Sequence, residues 1–245
     1  MAERCRVAVP AGLGYNRRMN ASPISQPAFP GQSGALELQG PAGVLECLVE
    51  LPEQEARRGV AIVCHPHPLH GGTMHNKVVT MVSRSLAELG LATVRFNFRG
   101  VGNSAGSYDE GVGETDDLVA VAEWLRRERP GDALWLAGFS FGSYVALRAA
   151  HALGVQQLIQ VAPPVGRWEF SSVTLPECPW LIVQGEADEV VDPAAVFAWV
   201  AGLPKPPQLV RMPETSHFFH RRLMDLRGAV KNGVRDNLPP LRTAE

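Results

Sequence analysis

The sequence predicts an α/β fold, a mostly parallel sheet with helices on both faces, entered through an antiparallel hairpin. Three observations predict it. Short apolar runs alternate with stretches of helical periodicity from Val60 onward, which is the pattern of a parallel sheet with crossover helices. Two alternating segments, ALELQGP and VLECLVELP, precede that region and meet around Pro41-Ala42-Gly43, which reads as a hairpin. A chain of 245 residues that is 45% hydrophobic is long and apolar enough to bury the core of one such domain.

The elements follow in order. Val60 to Cys64 is a buried strand running into the proline-broken loop HPHPLHGG. Val78, Val79, Val82, Leu86 and Leu89 recur at helical spacing between Asn76 and Leu89, and Gly90 stops that helix. LATVRFNF is a strand, followed by a glycine-rich loop and a helix near Glu114 to Arg129 that ends at Pro130-Gly131. ALWLAGF is a strand and Phe141 to Leu153 a helix closed by Gly154. VQQLIQVAPP and PWLIVQG are strands, and Pro193 opens a helix to about Trp199. PQLVRMP is the last strand and Phe219 to Lys231 the last helix. The domain is expected over residues 35–235. Residues 1–34 are rich in Pro, Gly, Ser, Asn and Gln without periodicity and are expected to be a disordered or loosely packed tail, with 236–245 a second tail. Because fold-like sequence begins only near Ala35, translation is expected to start at Met19, which intact mass would test.

Composition excludes several classes. A formal net charge of −2 with mixed signs along the chain gives no basic face for nucleic acid. No apolar stretch approaches the roughly 20 residues of a membrane helix, and the N-terminus lacks the apolar region of a signal peptide. The four cysteines, Cys5, Cys47, Cys64 and Cys178, are widely spaced without a C-x-x-C pair, which fits a reduced, cytoplasmic protein. The edges of the sheet leave room for pairing into a homodimer.

Two pentapeptides have the form G-x-S-x-G, GNSAG at Gly102 to Gly106 and GFSFG at Gly138 to Gly142. A nucleophilic serine needs exposure, a neighbouring base and donors for the oxyanion, and a sharp strand-to-helix turn flanked by glycines supplies the exposure. Ser140 has a strand before it and a helix after it. Ser104 is separated from its strand by Arg99-Gly100-Val101-Gly102 and is followed by further glycines, as in a flexible loop. Ser140 is therefore the candidate nucleophile. A tight turn without chemistry is the plain alternative, and the partners decide between them.

On such a sheet the partners come from loops at the carboxyl ends of later strands. QGEADEVVDP carries Glu186, Asp188, Glu189 and Asp192 after a strand. Asp192 precedes Pro193 and reads as a helix cap, and Asp188 is favoured as the acid by its loop position. In ETSHFFH, His217 lies ahead of the last helix and is favoured as the base over His220, which falls at the helix start beside Arg221 and Arg222. The loop after the first parallel strand should supply an oxyanion donor. Pro66 and Pro68 have no N–H, whereas His67 between them keeps one. A metal site from His65, His67, His70 and His75 is the rival reading of that loop; its prolines and the absence of a carboxylate or cysteine at ligand spacing weigh against it.

The motifs CHPHPLHGGTMHNKVV, RFNFRGVGNSAG, GFSFG, APPVGRWEFSS, QGEADEVV and SHFFH together resemble the α/β-hydrolase superfamily, in particular its small lidless bacterial serine hydrolases of the dienelactone-hydrolase-like and prolyl-oligopeptidase-like group. The resemblance runs from about Ala35 to Arg227. It implies an α/β-hydrolase fold with Ser140 as nucleophile, Asp188 as acid, His217 as base, and backbone N–H donors at His67 and Phe141. No cofactor and no metal are implied. Lids of this superfamily enter between the sixth and seventh strands, where VGRWEFSSVTLPEC is too short for one. The expectation is an open site for short-chain or water-soluble esters, lined by Leu69, Trp168 and Phe170, working through an acyl-enzyme. Acyl transfer, thioester or amide cleavage by the same triad is the alternative, as is a non-catalytic binding protein on the same fold.

Overall fold

The structure is a computed structural model and describes residues 26–243. Residues 1–25 and 244–245 lie outside it, and with them most of the expected N-terminal tail, the expected start at Met19 and the chain end. Eight strands form one sheet in the order β1-β2-β4-β3-β5-β6-β7-β8. The hairpin is β1 (Gly34–Gly40) and β2 (Gly43–Glu50), and β2 continues antiparallel onto β4 (Ala92–Phe96). From β4 outward, β3 (Gly59–Cys64), β5 (Ala133–Phe139), β6 (Gln157–Val161), β7 (Trp180–Gly185) and β8 (Gln208–Met212) are all parallel.

The near-continuous apolar strands are explained by burial on both faces. Val60, Ile62 and Cys64 of β3 join one core with Leu136, Leu158 and Ile182, covered by α2 (Val112–Glu128), α3 (Phe141–Ala150) and α4 (Pro193–Ala201). Ala61 and Val63 face the opposite core with Ala137, Ile159 and Val183, under α1 (Lys77–Ala87) and α5 (Leu223–Gly233). No helix among the described residues is long and apolar enough to cross a membrane.

The order β4-β3-β5 matters most for the site. The chain leaves β3 to one side and returns on the other, and at such a reversal of strand order the loops at the carboxyl ends of neighbouring strands are where a parallel sheet gathers the groups of a site.

Three local outcomes differ from the sequence reading. The last helix begins at Leu223 rather than Phe219, because Phe219 and Arg221 have φ of 53° and 60°, which no α-helix accommodates. The described part of the N-terminal segment is held to the domain: Trp124 Nε1 donates to Pro27 O at 2.7 Å, Phe29 stacks on Trp124, and Gln26 makes two bonds with the backbone of Gln39. Residues after Asn237 also dock, with Arg58 N donating to Pro240 O and Arg242 N to Ala56 O.

Candidate active site

β5 ends at Phe139, and the chain turns at Ser140 with φ 52° and ψ −123° before entering α3. That conformation is costly for a non-glycine residue, and such strain collects at functional sites. The flanking glycines make the turn sterically allowed. A Cβ at Gly138 would sit 2.2 Å from Gly142 O, and one at Gly142 would sit 2.4 Å from His65 O. The turn is tied to β6 through Ser140 N and Val161 O at 2.8 Å. The Ser140 hydroxyl makes no capping bond to α3, and Phe141 presents the first N–H of that helix, which has no helical carbonyl to bind.

The acid and base come from the loops after β7 and β8. His217 Nδ1 donates to Asp188 Oδ2 at 2.8 Å, with both side chains buried. A carboxylate on Nδ1 holds the proton there and leaves Nε2 with a lone pair. Asp188 Oδ1 accepts from Val190 N at 2.9 Å and Val191 N at 2.7 Å, and Gln184 Nε2 donates to Oδ2 at 3.0 Å. Burial pushes the Asp188 carboxyl up, yet the hydrogen bonds from His217, Val191 and Val190 outweigh it and leave the group below its ordinary value. The His217 ring packs on Phe139, the residue before Ser140, with centroids 5.0 Å apart.

The rivals are occupied otherwise. Asp192 caps α4 by accepting from Ala194 N, Glu186 pairs with Arg211, and Glu189 accepts from the backbone N of His217 at 3.0 Å. His220 is exposed, beyond the Phe218 ring.

Comparison with known proteins shows the family of the chain. A lidless α/β serine hydrolase from Xanthomonas campestris is 60% identical, the match covering 89% of this chain and 100% of that one, with a TM-score of 0.86. The chain belongs to the α/β-hydrolase superfamily. An α/β serine hydrolase homologue from Coxiella burnetii is 49% identical over 84% of this hydrolase and 100% of that chain, with a TM-score of 0.82. The serine aminopeptidase S33 family model matches residues 61–175. An uncharacterised protein of Rickettsia prowazekii (strain Madrid E) is 37% identical over 54% of this chain, a match that spans 58% of that relative's length. The esterase Est1E of Butyrivibrio proteoclasticus, 20% identical over 83% of this chain and 99% of that one at a TM-score of 0.72, shares the fold. Family and fold make the protein a hydrolase, and residues 162–179, between β6 and β7, insert no lid.

In this α/β hydrolase the β3 loop curls over the elbow. Gly72 N and His70 N both donate to His67 O, and a Cβ at Gly72 would lie 2.1 Å from Pro66 O. The His67 ring rests 5.1 Å from that of Phe141 between centroids, so the side chains of the two residues expected to supply the oxyanion donors are packed together. His65 is fully buried and structural: Nδ1 donates to Pro66 O at 2.6 Å and Nε2 accepts from Phe98 N at 3.0 Å. Burial pushes it down to about 4, so the ring is neutral. Among the described residues no three His, Cys, Asp or Glu side chains are grouped to hold a metal.

Ser104 has a different task. Its Oγ donates to Asn97 O at 2.7 Å and accepts from Glu46 N at 3.0 Å, so the hydroxyl is engaged in joining β2 to the end of β4. The loop expected to be flexible is pinned there and by Ala105 N on Val44 O.

Of the expected lining residues, Trp168 lies 5.3 Å from Phe141 and 5.6 Å from His67 between ring centroids. Leu69 is 69% exposed. Phe170 is buried and packs between Tyr144 and Trp199, beneath the loop. Tyr108, not singled out in the sequence, is 4.9 Å from His67 and 5.8 Å from Phe141. A cleft of about 670 Å³ lined by Glu50, Arg84, Glu88, Arg227 and Lys231 lies elsewhere and includes none of these groups; its size does not outweigh the chemistry gathered at the elbow.

Proposed function

We propose that the protein is a serine hydrolase, a carboxylesterase for short-chain or water-soluble esters. The observation that carries this is the buried Asp188–His217 pair, its imidazole packed on Phe139 next to the strained Ser140 turn. Ser140 Oγ attacks the ester carbonyl carbon while His217 Nε2 takes its proton. The carbonyl oxygen, now an anion, is held by the backbone N–H groups of Phe141 and His67. The intermediate collapses, the C–O bond to the alcohol breaks, and His217 returns the proton to that alcohol. Water then attacks the acyl-enzyme by the same route and releases the acid. Asp188 keeps the proton on Nδ1 and stabilises the imidazolium without taking the proton itself. The short 162–179 connection supports an open mouth, with Trp168 and Tyr108 beside the oxyanion donors, which suits small acyl groups better than long chains.

Labelling with a fluorophosphonate probe, followed by peptide mapping, tests the reading. Label on Ser140 that survives Ser104→Ala and disappears in Ser140→Ala is the expected result. A folded wild-type protein that takes no label would overturn it. Faster hydrolysis of a long-chain than of a short-chain p-nitrophenyl ester would overturn the substrate class, and product analysis with a competing alcohol or thiol separates hydrolysis from acyl transfer.

A further inference from the structure

Gln184 sits in the middle of the site's support and has no place in the chemistry above. It occupies β7 in the interior of the sheet, paired with Arg211 of β8, and is fully buried. Its Nε2 donates to Asp188 Oδ2 at 3.0 Å and to Gly185 O at 3.0 Å. Its Oε1 has no partner among the described residues. The amide orientation is forced, because turning it over would set Oε1 against the Asp188 carboxylate. A methionine would fill a similar volume here without an orphaned oxygen. The fold thus accepts an unsatisfied polar atom in its core at the one position whose amide reaches the oxygen that His217 binds.

We propose that Gln184 is a positioning residue: by donating to Asp188 Oδ2 alongside His217 Nδ1, it fixes the carboxylate's rotation and draws off part of the charge that Asp188 directs at the imidazole. The four bonds to the carboxylate divide evenly. Val190 N and Val191 N hold Oδ1, while Gln184 and His217 share Oδ2. Without Gln184, Oδ2 would answer to His217 alone. The imidazolium would then face a less-compensated carboxylate and hold its proton more tightly. The other charged groups near the pair bond atoms other than its carboxylate and ring. Glu189 accepts from His217 N, Glu186 is paired with Arg211, Glu214 lies near Arg222, and His220 is beyond Phe218.

This builds on the reading of His217 as the base, but its test does not depend on turnover. The His217 ring is titrated by NMR in the full-length protein labelled at histidine, its signal assigned by its loss in His217→Ala. The parent is compared with Gln184→Met, which keeps the volume and removes the donor, and with Gln184→Glu, which keeps the shape and brings a second acid. The expected result is a His217 midpoint raised by about half a unit or more in Gln184→Met. Gln184→Glu is expected to stay close to the parent, because a carboxyl buried where the Gln184 amide lies 3.0 Å from Asp188 Oδ2 keeps its proton and donates it there in place of the amide. A Gln184→Met midpoint within about 0.2 units of the parent would sink the proposal. If Gln184→Met does not fold, Gln184→Leu, which also lacks the donor, is judged by the same criterion. A raised midpoint in a protein that takes no fluorophosphonate label upholds Gln184 and overturns the serine-hydrolase reading; label on Ser140 with an unmoved midpoint does the reverse.

Discussion

The ring of His217 rests on the ring of Phe139, tilted by 37° with centroids 5.0 Å apart. Asp188 fixes one edge of the imidazole, and Phe139 fixes its face. Phe139 is also the last residue of β5, so the platform under the base and the turn that carries Ser140 are one covalent unit.

Replacing that platform should therefore cost rate more than binding. Phe139→Leu keeps most of the buried volume but removes the flat face. It is expected to lower kcat by roughly tenfold, with KM changed far less, because a base held loosely fails mainly in the transition state. Steady-state kinetics on a short-chain ester, with a thermal melt to show that the core survives, check this.

Asp188→Asn is expected to lower kcat by about 10³- to 10⁴-fold, because an amide can leave the proton on the wrong ring nitrogen. It should also change the acid limb of stability. Asp188 lies below its ordinary value in the folded protein, through its bonds to His217, Val191 and Val190 acting against burial. Its contribution is therefore present above the unfolded carboxylate value and fades as pH falls through the lowered folded one. Denaturant melts from pH 7 down to pH 3 should show a shallower acid loss in Asp188→Asn than in the parent.

His65 acts in a different pH window. Its ring is neutral in the fold and is pushed down from 6.5 to about 4 by burial, against the raising effect of its bond to Pro66 O. The unfolded chain binds that proton near pH 6.5 and the folded one does not, so the stability His65 contributes is full above 6.5 and is lost as pH falls toward 4. Between pH 7 and pH 5 this amounts to about 2 kcal/mol. His65→Gln is expected to be less stable at pH 7 and to lose less on going to pH 5, read by urea unfolding at both values.

How much of this was legible in the sequence depended on where each signal lies. Ser140, Asp188 and His217 each follow a strand, so strand order alone put them at one end of the sheet. The alternation of strand and helix carried the fold in the same way. Phe139 and Gln184 were not legible as supports, since ALWLAGF and PWLIVQG read as apolar strands and only tertiary packing shows what lies against them. Tyr108 was hidden in a glycine-rich loop whose ordering rests on distant partners such as Glu46 and Val44. The start of α5 falls at Leu223 rather than Phe219 because Phe219 and Arg221 are left-handed, and no glycine or proline between Phe219 and Arg222 marks that break in the sequence.

The two G-x-S-x-G serines should separate stability from activity. Ser104 bridges Asn97 O and Glu46 N, so Ser104→Ala removes two hydrogen bonds and leaves partners at the β2–β4 junction unsatisfied. It is expected to lose about 1–3 kcal/mol of stability with kcat within about twofold of wild type. Ser140→Ala should retain its melting temperature or raise it, since a strained position carrying a hydroxyl gains nothing for the fold, and should lower turnover by roughly 10³-fold or more. Melts and kinetics on the two variants side by side check the pair.

The oxyanion assignment of His67 is open to an unusually direct test because its φ is −53°. That lies within the range proline imposes, so His67→Pro deletes the backbone N–H without demanding a new φ. His67→Ala removes the same ring, with its contacts to Phe141, Tyr108 and Trp168 and its Nδ1 bond from Leu69 N, but keeps the N–H. If that N–H holds the oxyanion, His67→Pro should fall in kcat by about 10²- to 10³-fold, while His67→Ala falls by far less. If the ring is what matters, the two variants will lose rate equally. The ratio of their kcat values therefore isolates a single backbone hydrogen, provided both proteins give the melting transition of a folded domain.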